Sequence, residues 1–158
     1  MTIGLGSDHN GFALKQRLRS FLVERGENVR EFGAFSHEPI DYPDIAVAVA
    51  EAVQAGLIQR GILVCGTGLG MAIAANKVPG IFAAPVTDPY TARLARQSNN
   101  AQIITLGANV VSTELACAIV EAWLAAEFRG GGSARKVGKI HAVEGRYWRE
   151  AAPVLAGA

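Results

Sequence analysis

A short apolar run, Gly61-Ile62-Leu63-Val64, passes without a linker into Cys65-Gly66-Thr67-Gly68-Leu69-Gly70, and an alanine-rich stretch at helical spacing, Met71 to Asn76, follows at once. A brief apolar run bounded by glycine is the mark of a strand buried on both faces. Strand, tight loop and helix in that order form the unit of a parallel sheet, because parallel neighbours need a crossover. The same alternation recurs along the chain. Ile3–Ser7, Val29–Phe32, Ile81–Val86 and Gln102–Leu106 are the other expected strands. Between them lie helical stripes at Leu14, Leu18, Phe21 and Leu22, and at Ile45, Val49, Ala52 and Val53. Leu115, Ile119, Ala122 and Trp123 form another, and a last one runs through Val137, Ile140, Glu144 and Tyr147. Gly26 and Gly56 stand where helix-ending glycines belong, and Asp88-Pro89 reads as an N-cap followed by proline in the first turn. The expectation is an α/β chain: a Rossmann-like three-layer sandwich with a five-stranded, mainly parallel sheet and a C-terminal helix. Ligands of such sheets bind at the carboxyl ends of the strands.

Composition narrows the function. The 158 residues are half hydrophobic and carry 15 Lys+Arg against 14 Asp+Glu, so neither disorder nor an electrostatic nucleic-acid surface is expected. One domain is expected over residues 1–150, with 151–158 as a flexible C-terminal tail. No apolar run is long enough to span a bilayer, the first residues lack a secretory pattern, and two cysteines make no disulfide framework. These features predict a cytoplasmic setting.

Three glycines at alternate positions let residues 66–70 bend tightly and turn several N–H groups into one concavity that suits an anion. Cys65 stands at its lip, where the same dipoles favour the thiolate, although a buried cysteine beside a structural turn is the plainer alternative. A P-loop requires a lysine that is absent here, and a Cys-x5-Arg phosphate loop requires arginine where the chain has Met71. A dinucleotide or nucleotide module fits better, with Gly66 and Gly68 in the loop and Asp88 about 20 residues on, but Met71 replaces its third glycine. Ser7-Asp8-His9-Asn10-Gly11 ends the first strand and would share an edge with Cys65. Asp8 also suits a simple N-cap there. His9, His37 and His141 show no metal-ligand spacing, so no metal site is expected. Cys117, between alanines in a helix, reads as packing.

The stretches Ser7-Asp8-His9-Asn10-Gly11, Asp41-Tyr42-Pro43, Cys65–Gly70, Ala74-Ala75-Asn76-Lys77 and Ala122-Trp123-Leu124 together resemble the ribose-5-phosphate isomerase B and galactose-6-phosphate isomerase family, in order and spacing, across about residues 1–145. The resemblance implies aldose–ketose isomerisation of a phosphorylated sugar through a cis-enediolate, without metal or organic cofactor. It also implies a homodimer or dimer of dimers with active sites completed by the partner subunit. Cys65 matches the base that takes the carbon-bound proton, and the N–H groups of Gly66, Gly68, Leu69 and Gly70 match the donors that hold the enediolate. Thr67 matches a residue of ring opening or hydroxyl proton transfer. Asp8 and Asn99 match sugar-hydroxyl ligands, His9 a phosphate ligand, and Tyr42 a pocket wall.

The chain departs from the family at three places. Ser98 occupies the position of a histidine that opens the furanose ring, and a hydroxyl is a poor acid–base group near neutral pH. With Cys65 and Thr67 it completes the candidate catalytic set. Asn109 stands where the family carries an arginine, and Arg135-Lys136 is the only counterpart of two C-terminal arginines. These three residues would form an altered phosphate clamp. Ser98-Asn99-Asn100 resembles the tetrose-phosphate members, such as erythrulose-4-phosphate isomerases, whose substrates need no ring opening. A catalytically silent member of the fold is the remaining alternative.

Overall fold

The computed structural model describes residues 1–148. Its order is β1 (Thr2–Ser7), α1 (Phe12–Glu24), β2 (Asn28–Gly33), α2 (Tyr42–Gln54), β3 (Arg60–Cys65), α3 (Leu69–Ala75), β4 (Ala83–Pro85), α4 (Pro89–Asn99), β5 (Ile103–Gly107), α5 (Thr113–Leu124) and α6 (Gly132–Trp148). The five strands form one sheet in the order β2-β1-β3-β5-β4, and every pairing is parallel. The expected tail, 151–158, lies outside the described residues.

The strand order decides where the helices go. Crossovers of one hand put a helix on one face when the chain steps one way along the sheet and on the other face when it steps back. The chain steps one way from β1 to β2 and returns past β1 to β3. It then skips on to β4 before falling back to β5. Accordingly α1, α4 and α5 pack one face around Leu18, Ile62, Leu106 and Trp123. On the other face α2 and α3 pack around Val49, Leu63, Met71 and Ile103. Ile3, Leu5, Ile62, Leu63, Ile103 and Ile104 are fully buried, as a sheet covered on both sides requires.

Asp88 caps α4 as expected, its Oδ1 accepting the Thr91 N–H at 2.8 Å, and Gly26 and Gly56 end their helices at φ +78° and +71°. Other details differ from expectation. The fourth strand shrinks to Ala83–Pro85 because side chains take its first N–H groups: Gln102 Oε1 accepts from Phe82 at 2.8 Å and Asn76 Oδ1 from Ala83 at 2.9 Å. Helix α5 buries Ala116, Ile119, Val120 and Trp123, because it packs between α1 and α4 and needs a wider apolar face than the expected stripe. On α6 only Val137 is buried, whereas Ile140 and Tyr147 of the expected stripe are exposed.

Two basic residues lie inside. Lys15 is fully buried on α1, and its Nζ donates to Ala34 O and to Glu31 Oε1, the latter at 2.8 Å. Arg60, at the start of β3, closes the end of α5 by donating to the carbonyls of Trp123, Leu124 and Ala126 at 2.9–3.0 Å. Four C-terminal carbonyls of any helix lack intrahelical donors, and Arg60 supplies donors just there.

Candidate active site

The strand order reverses between β1 and β3, and the carboxyl ends of both strands open onto one crevice, the usual ligand position in doubly wound sheets. Three chain segments meet there through backbone bonds. The Asp8 N–H donates to Val64 O at 3.2 Å, Ala108 to Cys65 O at 2.8 Å and Asn109 to Gly66 O at 3.0 Å. Glycine makes the approach possible. A Cβ on Gly11 would lie 2.3 Å from Val64 O, and one on Gly107 would lie 2.7 Å from the Thr67 carbonyl. Gly68 adopts φ +80° against the Leu106 backbone, a left-handed turn that glycine makes without strain.

Cys65 is only 5% exposed and ends β3 on the α2–α3 face. Its Sγ accepts the Gly68 N–H at 3.1 Å, so the loop folds a backbone donor onto the sulfur. Thr105, buried inside the apolar β5, locks that turn by donating its hydroxyl to Gly68 O at 2.7 Å. Thr67 is exposed, and its Oγ1 accepts the Leu69 N–H at 3.3 Å. The N–H groups of Gly66 and Gly70 have no protein acceptor among the described residues. Of the four expected loop donors, two are therefore occupied locally and two are open. Tyr42, at the start of α2, lays its ring across the position a Cβ on Gly70 would fill, 2.6 Å from its carbons.

Asp8 is buried and braces the turn before α1, its Oδ1 accepting the Gly11 N–H at 2.9 Å. The expected N-cap role falls instead to Gly11, where the first helical bond begins, and Asp8 Oδ2 makes no protein hydrogen bond among the described residues. The Ile40 N–H donates to His9 Nδ1 at 3.3 Å, and the side-chain amide nitrogen of Asn10 lies 3.3 Å from His9 Nε2. Asn109 reaches the same rim, its Nδ2 3.2 Å from where a Cβ on Gly66 would be.

Four expected site residues lie elsewhere. Ser98 and Asn99 end α4, which runs back from the carboxyl edge toward the start of β5. Eleven helical residues carry them about 16 Å from the crevice edge. Arg135 and Lys136, in the first turns of α6, belong to the same end of the molecule, for the Arg129 N–H donates to Gln97 O at 3.1 Å just before α6 begins. Within one chain these four do not meet Cys65.

Asp88 does not serve a dinucleotide site. Its carboxylate is committed to Thr91, and β5 separates β4 from the glycine loop on β3. Cys117 lies partly buried on α5, where burial, then Glu114, Glu121 and Glu24, push its thiol pKa up, away from the thiolate form. Thr105, Gly107 and the Ile40 N–H are the site contributors that the sequence did not announce. A lone threonine within Ile103–Leu106 was the one signal for Thr105.

Fold and site define a class, the doubly wound α/β enzymes that hold a small ligand at the carboxyl edge of a parallel sheet. Within it the chain belongs to the Ribose/Galactose Isomerase family, whose pattern it matches over residues 3–140. It is 49% identical over 144 residues to D-erythrulose-4-phosphate isomerase of Pectobacterium atrosepticum, covering 89% of this chain and 93% of that protein. It is 47% identical to Ribose-5-phosphate isomerase B of Escherichia coli, covering 91% and 97%. The solved structure of Ribose-5-Phosphate Isomerase B from Clostridium thermocellum superposes with a TM-score of 0.92 at 53% identity, covering 93% of this chain and 99% of that one.

Proposed function

We propose that the protein interconverts an aldose phosphate and a ketose phosphate, with Cys65 as the base. The observation that carries this reading is the Gly68 N–H on Cys65 Sγ at 3.1 Å, beside the open N–H groups of Gly66 and Gly70. In the aldose-to-ketose direction the thiolate takes the proton from C2. The C–H electron pair becomes the C1=C2 bond, and the carbonyl π pair moves onto O1. The oxyanion is held by the open loop N–H groups, donors already oriented before charge develops. The O2 hydroxyl proton passes to O1 with Thr67 at hand, and the thiol then returns its proton to C1 as C2 becomes the carbonyl. Asp8 Oδ2 would accept from a sugar hydroxyl. Cys65→Ala is expected to cut kcat/KM by about 10²–10⁴-fold, the scale of a lost general base, with thermal stabilisation by the sugar phosphate retained. Survival of most of the activity would remove Cys65 from this role.

The preferred substrate in this reading is a tetrose phosphate such as erythrulose 4-phosphate, rather than ribose 5-phosphate. Ser98 supports it, because a hydroxyl cannot drive opening of a furanose, and a tetrose phosphate cannot close one through its phosphate-bearing oxygen. Its kcat/KM should exceed that for ribose 5-phosphate by about tenfold or more, and Ser98→His should narrow the gap. Equal turnover of the two would end the tetrose reading.

Ser98 and Asn99 can act only if a second copy brings its amino edge to the crevice, and Arg135-Lys136 lie at that same edge. The working unit is therefore a homodimer with shared sites, singly or as a dimer of dimers, acting in the cytoplasm. Full activity from a monomer at nanomolar concentration, seen by light scattering, would contradict it.

A further inference from the structure

A cleft of about 380 Å³ opens between the amino-terminal halves of α1 and α5, lined by Asn10, Ala13, Arg17, Asn109, Val111 and Thr113 among others. It adjoins the crevice directly: the space beside Gly66 is bounded by Asn109 Nδ2 at 3.2 Å and Asn10 Cβ at 4.0 Å. Arg17 is its one charged lining residue. Arg19, Arg25 and Arg60 are engaged by Glu31, Glu121 and Glu127. Arg17 makes no hydrogen bond or ion pair among the described residues. Its charge is nonetheless felt at the start of α5. There Glu114 has a lowered carboxyl pKa, first through its own N–H and the Ser112 hydroxyl, and further through Arg17.

An unpaired guanidinium over a cleft with two amide side chains at its inner end suits a tetrahedral oxyanion. The planar fork donates two parallel hydrogen bonds, and Asn10 and Asn109 add neutral donors. We propose that Arg17 is a charged ligand of the substrate's phosphate, reaching it from α1 across this cleft. The assignment rests on the crevice being the isomerisation site, since it places the phosphate next to Gly66 and the reacting carbons toward Cys65. It adds a residue from a helix that sequence reading treats only as scaffold.

The test compares wild type, Arg17→Gln and Arg17→Lys with D-erythrulose 4-phosphate as substrate and inorganic phosphate as both inhibitor and thermal-shift ligand. Arg17→Gln is expected to raise KM and the phosphate inhibition constant about tenfold or more, equivalent to about 1.4 kcal/mol, with most of the loss in KM rather than kcat. Arg17→Lys should recover part of it, and the melting temperature without phosphate should not move, because the side chain is exposed and makes no hydrogen bond or ion pair among the described residues. Wild-type turnover combined with KM and inhibition constants of Arg17→Gln within twofold of wild type would overturn the cleft and leave the isomerase reading standing. Wild-type protein that isomerises no sugar phosphate but binds inorganic phosphate through Arg17 would do the reverse.

Discussion

Gly107→Ala perturbs the crevice without replacing any residue assigned to chemistry. Gly107 closes β5 opposite Cys65, and a methyl there would sit 2.7 Å from the carbonyl carbon and oxygen of Thr67 and 2.8 Å from its Cα. Ordinary contact begins near 3.4 Å, so backbone must yield by about 0.7 Å, and no flexible side-chain end is available to give way. The strand is held by its neighbours β3 and β4, so the 65–70 loop is the part that moves. Overpacking of this kind costs about 1–3 kcal/mol. For a chain of this length that lowers Tm by roughly 2–12 °C. Activity should fall further than stability. Displacing the Gly68 N–H and the open Gly66 and Gly70 donors by most of an ångström is expected to reduce kcat/KM by about 10²-fold. Differential scanning fluorimetry and steady-state isomerisation, run well below the lowered Tm, separate the two effects. A variant with near-wild-type Tm and kcat/KM would refute the claim that backbone contact between β5 and the loop sets the site.

Three other outcomes follow from the interior. Replacing Arg60 with methionine strips donors from three carbonyls at the end of α5 and should cost about 3 kcal/mol, read as a loss in Tm of roughly 6–12 °C. Burial alone would raise the Glu31 carboxyl pKa, but hydrogen bonds and charge from Lys15 and Arg19 outweigh it and lower the pKa from 4.5. Its contribution is therefore present above about pH 4.5 and lost as pH falls through the lower folded value, and Lys15→Met should flatten that acid limb in a series of Tm measurements against pH. Gly138→Ala, inside α6 with nothing within 4 Å of the added methyl, should stabilise by up to about 1 kcal/mol, and a lower Tm would show that the methyl meets an obstruction there.

Four of the five strands were legible, β1, β3 and β5 as short apolar runs ended by a glycine or polar turn, and β2 more weakly, through Val29 and Phe32 on either side of Arg30 and Glu31. The exception, β4, could not be bounded in advance, since Asn76 and Gln102 take its N–H groups and lie 7 and 20 residues from them. Asp8, Cys65 and the 66–70 loop were readable because local spacing sets them at strand ends. Thr105, Gly107 and Lys15 were not, because each acts across a contact made only when separate strands and helices come together. Of the stripe expected on α6, Val137 is buried and Glu144 accepts the Gly80 N–H, whereas Ile140 and Tyr147 line a groove of about 620 Å³ that is open among the described residues.

The position of Ser98 and Asn99 at the edge opposite Cys65 has a genetic consequence. In a shared-site dimer, Cys65→Ala disables the loop of its own chain, and Asn99→Ala disables only what is lent to the other. Each variant alone would be dead. Mixed and allowed to exchange subunits, half the dimers would be hybrids holding one site with both lesions and one with neither, so about a quarter of all sites would work. Two inactive alleles in one cell could thus restore each other, and two lesions within the crevice of a single chain could not.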